Sequence, residues 1–199
     1  SLNATRSRDR RFHMHRRNTH AGSRRNIADH YDLGNAFYRL WLDKSMSYSS
    51  GIYTGGTATL EDAQQAKLGR VLSALDLSDG HSLLEIGCGW GAFAEAAARR
   101  GANVRAITIS EQQLSEARER IAAARLTDRV EVCFEDYRDT TGRFDRLVSI
   151  EMIEAVGEEN WPLFFKTVAD RLCPGGLAVI QAITIRKDAF AQYQQNPDF

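Results

Sequence analysis

The sequence predicts an α/β protein whose core is a doubly wound, mostly parallel sheet, preceded by a helical segment. Three observations carry that prediction. From residue 79 onward, short apolar runs alternate with stretches of helical periodicity about 10–15 residues long, the pattern of βαβ units with right-handed crossovers. A glycine-rich stretch, Glu85-Ile86-Gly87-Cys88-Gly89-Trp90-Gly91, stands where the first apolar run gives way to a helix. The composition is globular, 43% hydrophobic and 26% charged over 199 residues, enough to bury a core without disulfides or metal.

The elements follow in order. Residues 1–25 hold eight Arg against the single Asp9 and lack helical or strand periodicity, with Phe12 and Met14 as their main apolar residues. They read as a basic arm or linker. The zero net charge therefore conceals an acidic body, since residues 26–199 hold 18 basic and 25 acidic side chains. An arm of this kind suits an anion: a phospholipid surface, where each Arg is worth about 1 kcal/mol, or nucleic-acid phosphates. A solvated linker is the plainer alternative.

Residues 26–78 read as a second, helical segment. Ile27, Tyr31, Phe37, Tyr38 and Trp41 recur at helical steps, interrupted at Gly34-Asn35. Thr59 suits an N-cap, with Asp62 at the third helical position. The helix it opens, 60–77, places Ala63, Ala66, Leu68, Val71, Leu72 and Leu75 on one broad face. After Ser78-Asp79-Gly80 the spacing predicts strands at 82–86, 103–109, 129–134, 144–150 and 176–185. Helices are predicted at 93–100, at 111–124 behind a Ser110 cap, and at 161–172.

Other classes are set aside. Cys88, Cys133 and Cys173 form no CxxC pair, so neither a disulfide framework nor a zinc ribbon is expected, and they read as small buried hydrophobes. His13, His15 and His20 lack ligand spacing, and no metal site is predicted. The chain shows no run of 18 apolar residues and no basic-then-apolar leader, so the setting predicted is cytoplasmic. No aromatic-interleaved basic sheet face offers bases a stacking platform, and no nucleic-acid partner is expected.

The glycine stretch occupies the anion- and cofactor-binding corner of such a sheet. Two cofactors compete for it, beside the bland reading of a strand–helix turn. Gly87, Gly89 and Ala92 fit the dinucleotide pattern GxGxx(G/A), which also wants an acid about 20 residues on for the ribose. The next strand ends instead in Ile107-Thr108-Ile109-Ser110. An acid just before the glycines, ExGxGxG, is similar to the first motif of S-adenosylmethionine-dependent methyltransferases, where Glu85 can attract the ammonium of the methionine moiety.

Further segments agree. HYDLGNAFYRLWLDKSMSYSSGIY, EDAQQAKL, LLEIGCGWGAFA, ITISEQQ, DYRD and FDRLVSIEMIEAVG together strongly resemble the cyclopropane-fatty-acyl-phospholipid synthase family, with its mycolic acid cyclopropane synthase and fatty acid methyltransferase relatives. The resemblance runs collinearly from residue 26 to 199. It implies a Rossmann-like methyltransferase sheet and transfer of a C1 unit from S-adenosylmethionine to the cis double bond of an unsaturated phospholipid acyl chain. The product would be a cyclopropane or a methyl- or methylene-branched chain. It also implies a peripheral position at the inner face of the cell membrane, on an anionic surface, and leaves room for a homodimer. Methylation of another small molecule, or a silent cofactor- or lipid-binding module, stays open as an alternative.

Carried over residue by residue, the resemblance places cofactor contacts at Tyr48 and Ser49, at Glu85, Gly87, Gly89 and Gly91, and at Thr108, Gln113, Glu135 and Asp136. Thr108, Ser110 and Gln113 match the family's substitute for the ribose acid, and Glu135–Asp136 suit an adenine amine. For the chemistry it implies Glu154, with a bound bicarbonate as base, held by Glu, His, backbone amides and Tyr. Two positions depart: Ser50 stands for a cysteine, and Gln181 for the histidine. A glutamine amide donates to an anion but neither becomes cationic nor relays a proton. Ile183 would still offer its backbone amide. Glu151, three residues before Glu154, shares its face if the stretch is helical and reads as a supporting residue. His30 belongs to the matching HYD segment or satisfies a local bond. The family continues beyond the point where this chain stops, so the C-terminal edge of the fold is expected to be missing.

Overall fold

Five short apolar runs pair side by side in the computed structural model, which describes residues 34–56, 59–186 and 188–190 together with Gly22. They are β1 (Ser82–Ile86), β2 (Asn103–Thr108), β3 (Val130–Phe134), β4 (Phe144–Ile150) and β5 (Leu172–Gln181). Every neighbouring pair is parallel, in the order β3-β2-β1-β4-β5. The predicted doubly wound α/β architecture is therefore present. Its order reverses between β1 and β4, and the crevice outside the carboxyl ends of those two strands is where such sheets take ligands.

Helices cover both faces, because the central strands are apolar on both sides. On one face α2 (Leu60–Ala74), α3 (Ala92–Ala98) and α4 (Glu111–Ala123) bring Leu72, Phe93, Ala97 and Ile121 onto Leu83, Val104 and Val130. On the other, α5 (Trp161–Asp170) sets Phe164 and Val168 against Leu84, Ile86, Ile107 and Leu147. Both predicted caps form. The Thr59 hydroxyl oxygen accepts from the Asp62 N–H at 3.1 Å, and the Ser110 oxygen from the Gln113 N–H at 3.3 Å, each worth about 1 kcal/mol. The short helix α1 (Gly34–Tyr38) starts at the Gly34-Asn35 interruption. Most of the arm, together with Ile27, His30 and Tyr31, lies outside the described residues.

Three expectations change. β5 begins at Leu172, not 176, and stops at Gln181, not 185. A bulge around Pro174-Gly175 lets Leu172 pair with Phe144 and Leu177 with Arg146, so the strand starts early. It ends at Gln181 because the Ile183 N–H leaves the ladder and donates to a Glu154 carboxylate oxygen. On α2, Ala66 is exposed, and the polar Gln64 and Lys67 are buried. The stretch from Glu151 to Glu154 is not one helix: Glu151 has φ +48, and a single 3-10 turn covers Ile153–Ala155. Among the described residues β5 forms an edge of the sheet, and no helix is long and apolar enough to cross a membrane.

Candidate active site

The five strands deliver their last residues to one rim. Glu85 is the penultimate residue of β1 and is 4% exposed. The Ala94 N–H donates to its carboxylate, but its Oε2 has no partner among the described residues. Burial pushes this carboxyl up to about 8, against the pull of Ala94 and of the nearby Lys67. Behind it Gly87, Gly89 and Gly91 all have positive φ. At Gly91 the reason is packing, since a Cβ there would stand 3.1 Å from that of Ala117 on α4. At Gly89 nothing lies within 4 Å of where a Cβ would project. The open step at Gly89 thus follows four residues after a buried carboxylate with one unpartnered oxygen.

The segment ahead of the sheet roofs this rim. Trp90 is buried in the glycine loop and donates its indole N–H to Asn35 Oδ1 at 2.8 Å. Tyr38 stacks at a tilt on both Trp90 (5.3 Å) and Tyr48 (5.5 Å). Arg120 on α4 donates to the Trp90, Lys44 and Ser45 carbonyls, tying the roof to the sheet. Tyr48, Ser49 and Ser50 thus reach the site through aromatic packing and one arginine.

Beneath them α2 supplies two polar groups that sequence reading missed. Gln64 Nε2 donates to the Ser49 carbonyl at 2.7 Å, and Lys67 Nζ donates to Ser49 Oγ at 2.6 Å. Lys67 is only 2% exposed. Burial pulls its ammonium below the ordinary value, opposed by the Glu151, Asp43 and Glu85 carboxylates. The available signal was helical spacing: Gln64 and Lys67 share a face with the buried Ala63, Leu68 and Val71.

On the β2–β3 side the predicted contacts largely hold one another. Thr108 Oγ1 donates to Gln113 Oε1 at 3.0 Å and accepts from the Ser110 N–H. Glu135 pairs with Arg105 at 2.6 Å, and the buried Asp136 receives both Nε and a terminal nitrogen of Arg138. Asp136 Oδ1 also accepts from the Arg138 backbone N–H at 3.0 Å.

At the ends of β4 and β5 the structure gathers the remaining predicted residues around Glu151. Its Oε1 accepts from the Ser50 N–H at 3.0 Å and from Gln181 Nε2 at 2.8 Å. Its own N–H donates to the Gln181 carbonyl at 2.8 Å. Glu154 lies on the exposed 3-10 turn and accepts from the Ile183 N–H. The donors expected to hold a bicarbonate are thus spent on the chain's own carboxylates. The residues present do not fit that anion.

A family model described as mycolic acid cyclopropane synthetase matches residues 18–199. The chain belongs to this family. Among its relatives, a tuberculostearic acid methyltransferase of Mycobacterium tuberculosis is 44% identical over 170 residues, 82% of this chain and 40% of that protein. The cyclopropane-fatty-acyl-phospholipid synthase of Escherichia coli K12 is 39% identical over 160 residues, 80% of this chain and 41% of that one. Among solved members, the mycolic acid cyclopropane synthase CmaA1 complexed with SAH and CTAB superposes with a TM-score of 0.75 at 31% identity, over 79% of this chain and 55% of that one. The cyclopropane synthase MmaA2 of M. tuberculosis gives 0.76 at 31% identity, over 82% and 58%. The chain therefore spans under half of these curated relatives, and the family match lies on the sheet, the roof and the rim just described.

Proposed function

We propose that the chain binds S-adenosylmethionine on the Glu85–Gly91 rim and serves C1 transfer to a double bond in an unsaturated phospholipid acyl chain. The observation that carries this reading is the buried Glu85 carboxylate, short of one partner, beside the open step at Gly89. An ammonium group satisfies both its charge and its empty oxygen, and the residues therefore fit the cofactor. Bound there, S-adenosylmethionine supplies an electrophilic sulfonium methyl group.

The chain's own residues do the rest. Glu85 holds the amino acid end, and Thr108, Gln113, Glu135 and Asp136 line the nucleoside side at the ends of β2 and β3. Tyr38, Tyr48 and Trp90 exclude water and present aromatic faces that tolerate developing positive charge. Glu154 fixes the Ile183 amide, and with it the segment after β5, next to Glu151 and Gln181. The relatives include a cyclopropane-fatty-acyl-phospholipid synthase, a tuberculostearic acid methyltransferase and a sphingolipid C9-methyltransferase. The phospholipid assignment rests on the basic arm, whose eight Arg suit an anionic lipid surface.

Incubating the full chain with methyl-labelled cofactor and monounsaturated phospholipid tests this. The expected result is label in the acyl chain, with cyclopropane or methylene-branch protons distinguished by NMR of the extracted esters. Label confined to water-soluble products would assign the chain to another acceptor.

A further inference from the structure

The geometry points to Glu151 as the base of the reaction: its carboxylate takes up the proton that the acyl chain releases after gaining the methyl carbon, and no bicarbonate is needed. This rests on the reaction proposed above and names the group that completes it.

Glu151 is held at both ends in a conformation it would not adopt freely. A glutamate at φ +48 stands in the left-handed region, where a Cβ crowds the following carbonyl oxygen. The backbone bond to the Gln181 carbonyl and the two donors on Oε1 fix it there. Both donors are neutral amides, one from the roof (Ser50) and one from β5 (Gln181), so the carboxylate sits where three parts of the site converge. Its other oxygen, Oε2, makes no hydrogen bond among the described residues. One oxygen anchored and one free is the arrangement a general base requires.

The two departures from the family pattern now acquire a reason. A histidine in place of Gln181 could itself take the proton; a glutamine donates to Glu151 and cannot. An external anion would need the same Ser50 and Gln181 donors, and like charge beside Glu151 would oppose it. Glu154 is the weaker candidate, because it is exposed on its 3-10 turn whereas Glu151 is half-buried.

The step balances without a further reactant. The π pair of the acyl double bond forms the new bond to the methyl carbon, and the pair of the broken carbon–sulfur bond stays on sulfur. The chain is left cationic. A carbon–hydrogen bond of the new methyl then breaks. Its electron pair closes a cyclopropane onto the cationic carbon or, where a hydride has first moved from the methyl-bearing carbon to that cationic carbon, forms a methylene double bond. In both cases the proton goes to Glu151 Oε2, which later returns it to water.

The test uses the full chain in carbon dioxide-depleted buffer, with methyl-labelled cofactor and monounsaturated phospholipid. Wild-type turnover is expected to be unchanged by added bicarbonate. Glu151→Gln, which keeps the size, should lower turnover about 10²–10⁴-fold while affinity for the demethylated cofactor stays within a few-fold. Glu151→Gly relieves the positive φ and should recover turnover in proportion to added formate, a response that a structural role would not produce. In the same variant, 13C-formate should show saturable binding by NMR that is absent from wild type. Wild-type turnover that rises several-fold with bicarbonate, or Glu151→Gln turnover within twofold of wild type, overturns the proposal while leaving the reaction standing. Cofactor binding with no labelled acyl chain in the wild type overturns both.

Discussion

Glu85 shows most plainly how one residue links sequence, energetics and function. An acid at a strand's end is unremarkable in a sequence, but here it is buried with one oxygen lacking a partner, and its carboxyl is raised from 4.5 to about 8. In the folded chain the protonated form is favoured, so this group's contribution to stability is fully present below about pH 4.5 and is lost as pH rises toward 8. Each unit of separation is worth about 1.4 kcal/mol. Urea unfolding of the ligand-free protein between pH 5 and 8 should show stability falling by a few kcal/mol, and Glu85→Gln should flatten that slope. Equal slopes in the two proteins would mean that Glu85 is ionised and satisfied in the free state. An ammonium ligand should restore stability at the upper end of the range, because it supplies the missing partner.

At the scale of elements, the periodic parts were legible and the polar exceptions were not. The strands β1 and β4, and the caps at Thr59 and Ser110, fall where apolar runs and hydroxyl residues predict them, because local chemistry decides them. The boundaries of β5 depend on a bulge against β4 and on a bond from Ile183 to a residue 29 positions earlier, and no local pattern records either. Likewise, α2 was read by hydrophobicity alone, which chose Ala66 for the core over Gln64 and Lys67. These two face inward because they satisfy the Ser49 carbonyl and hydroxyl of the roof. The residues named from the sequence include Ser50 and Gln181, but that both donate to Glu151 was not legible, since they lie 101 and 30 residues away from it. Lys67→Met should cost about 1.5–3 kcal/mol, the range for a lost hydrogen bond to a charged group. It should also speed amide exchange at residues 47–51. Unchanged exchange there would show that aromatic packing alone holds the roof.

At the scale of the whole molecule, charge is divided between a basic arm and an acidic body. If the arm brings the rim to its lipid, flotation with anionic vesicles should depend on residues 1–25 and weaken as salt rises, because the interaction fades within a Debye length. Equal flotation with and without the arm would make it a linker. The roof, the glycine loop and the β4–β5 ends converge on one crevice, so the chain's sheet topology, and not any single motif, assembles the site. The central claim is that this crevice is built for S-adenosylmethionine and not for a nicotinamide dinucleotide, and titration calorimetry with both ligands decides it. The account predicts saturable heat with S-adenosylmethionine, strongly diminished in Glu85→Gln, and none with NAD. Binding of NAD with no response to S-adenosylmethionine would contradict it.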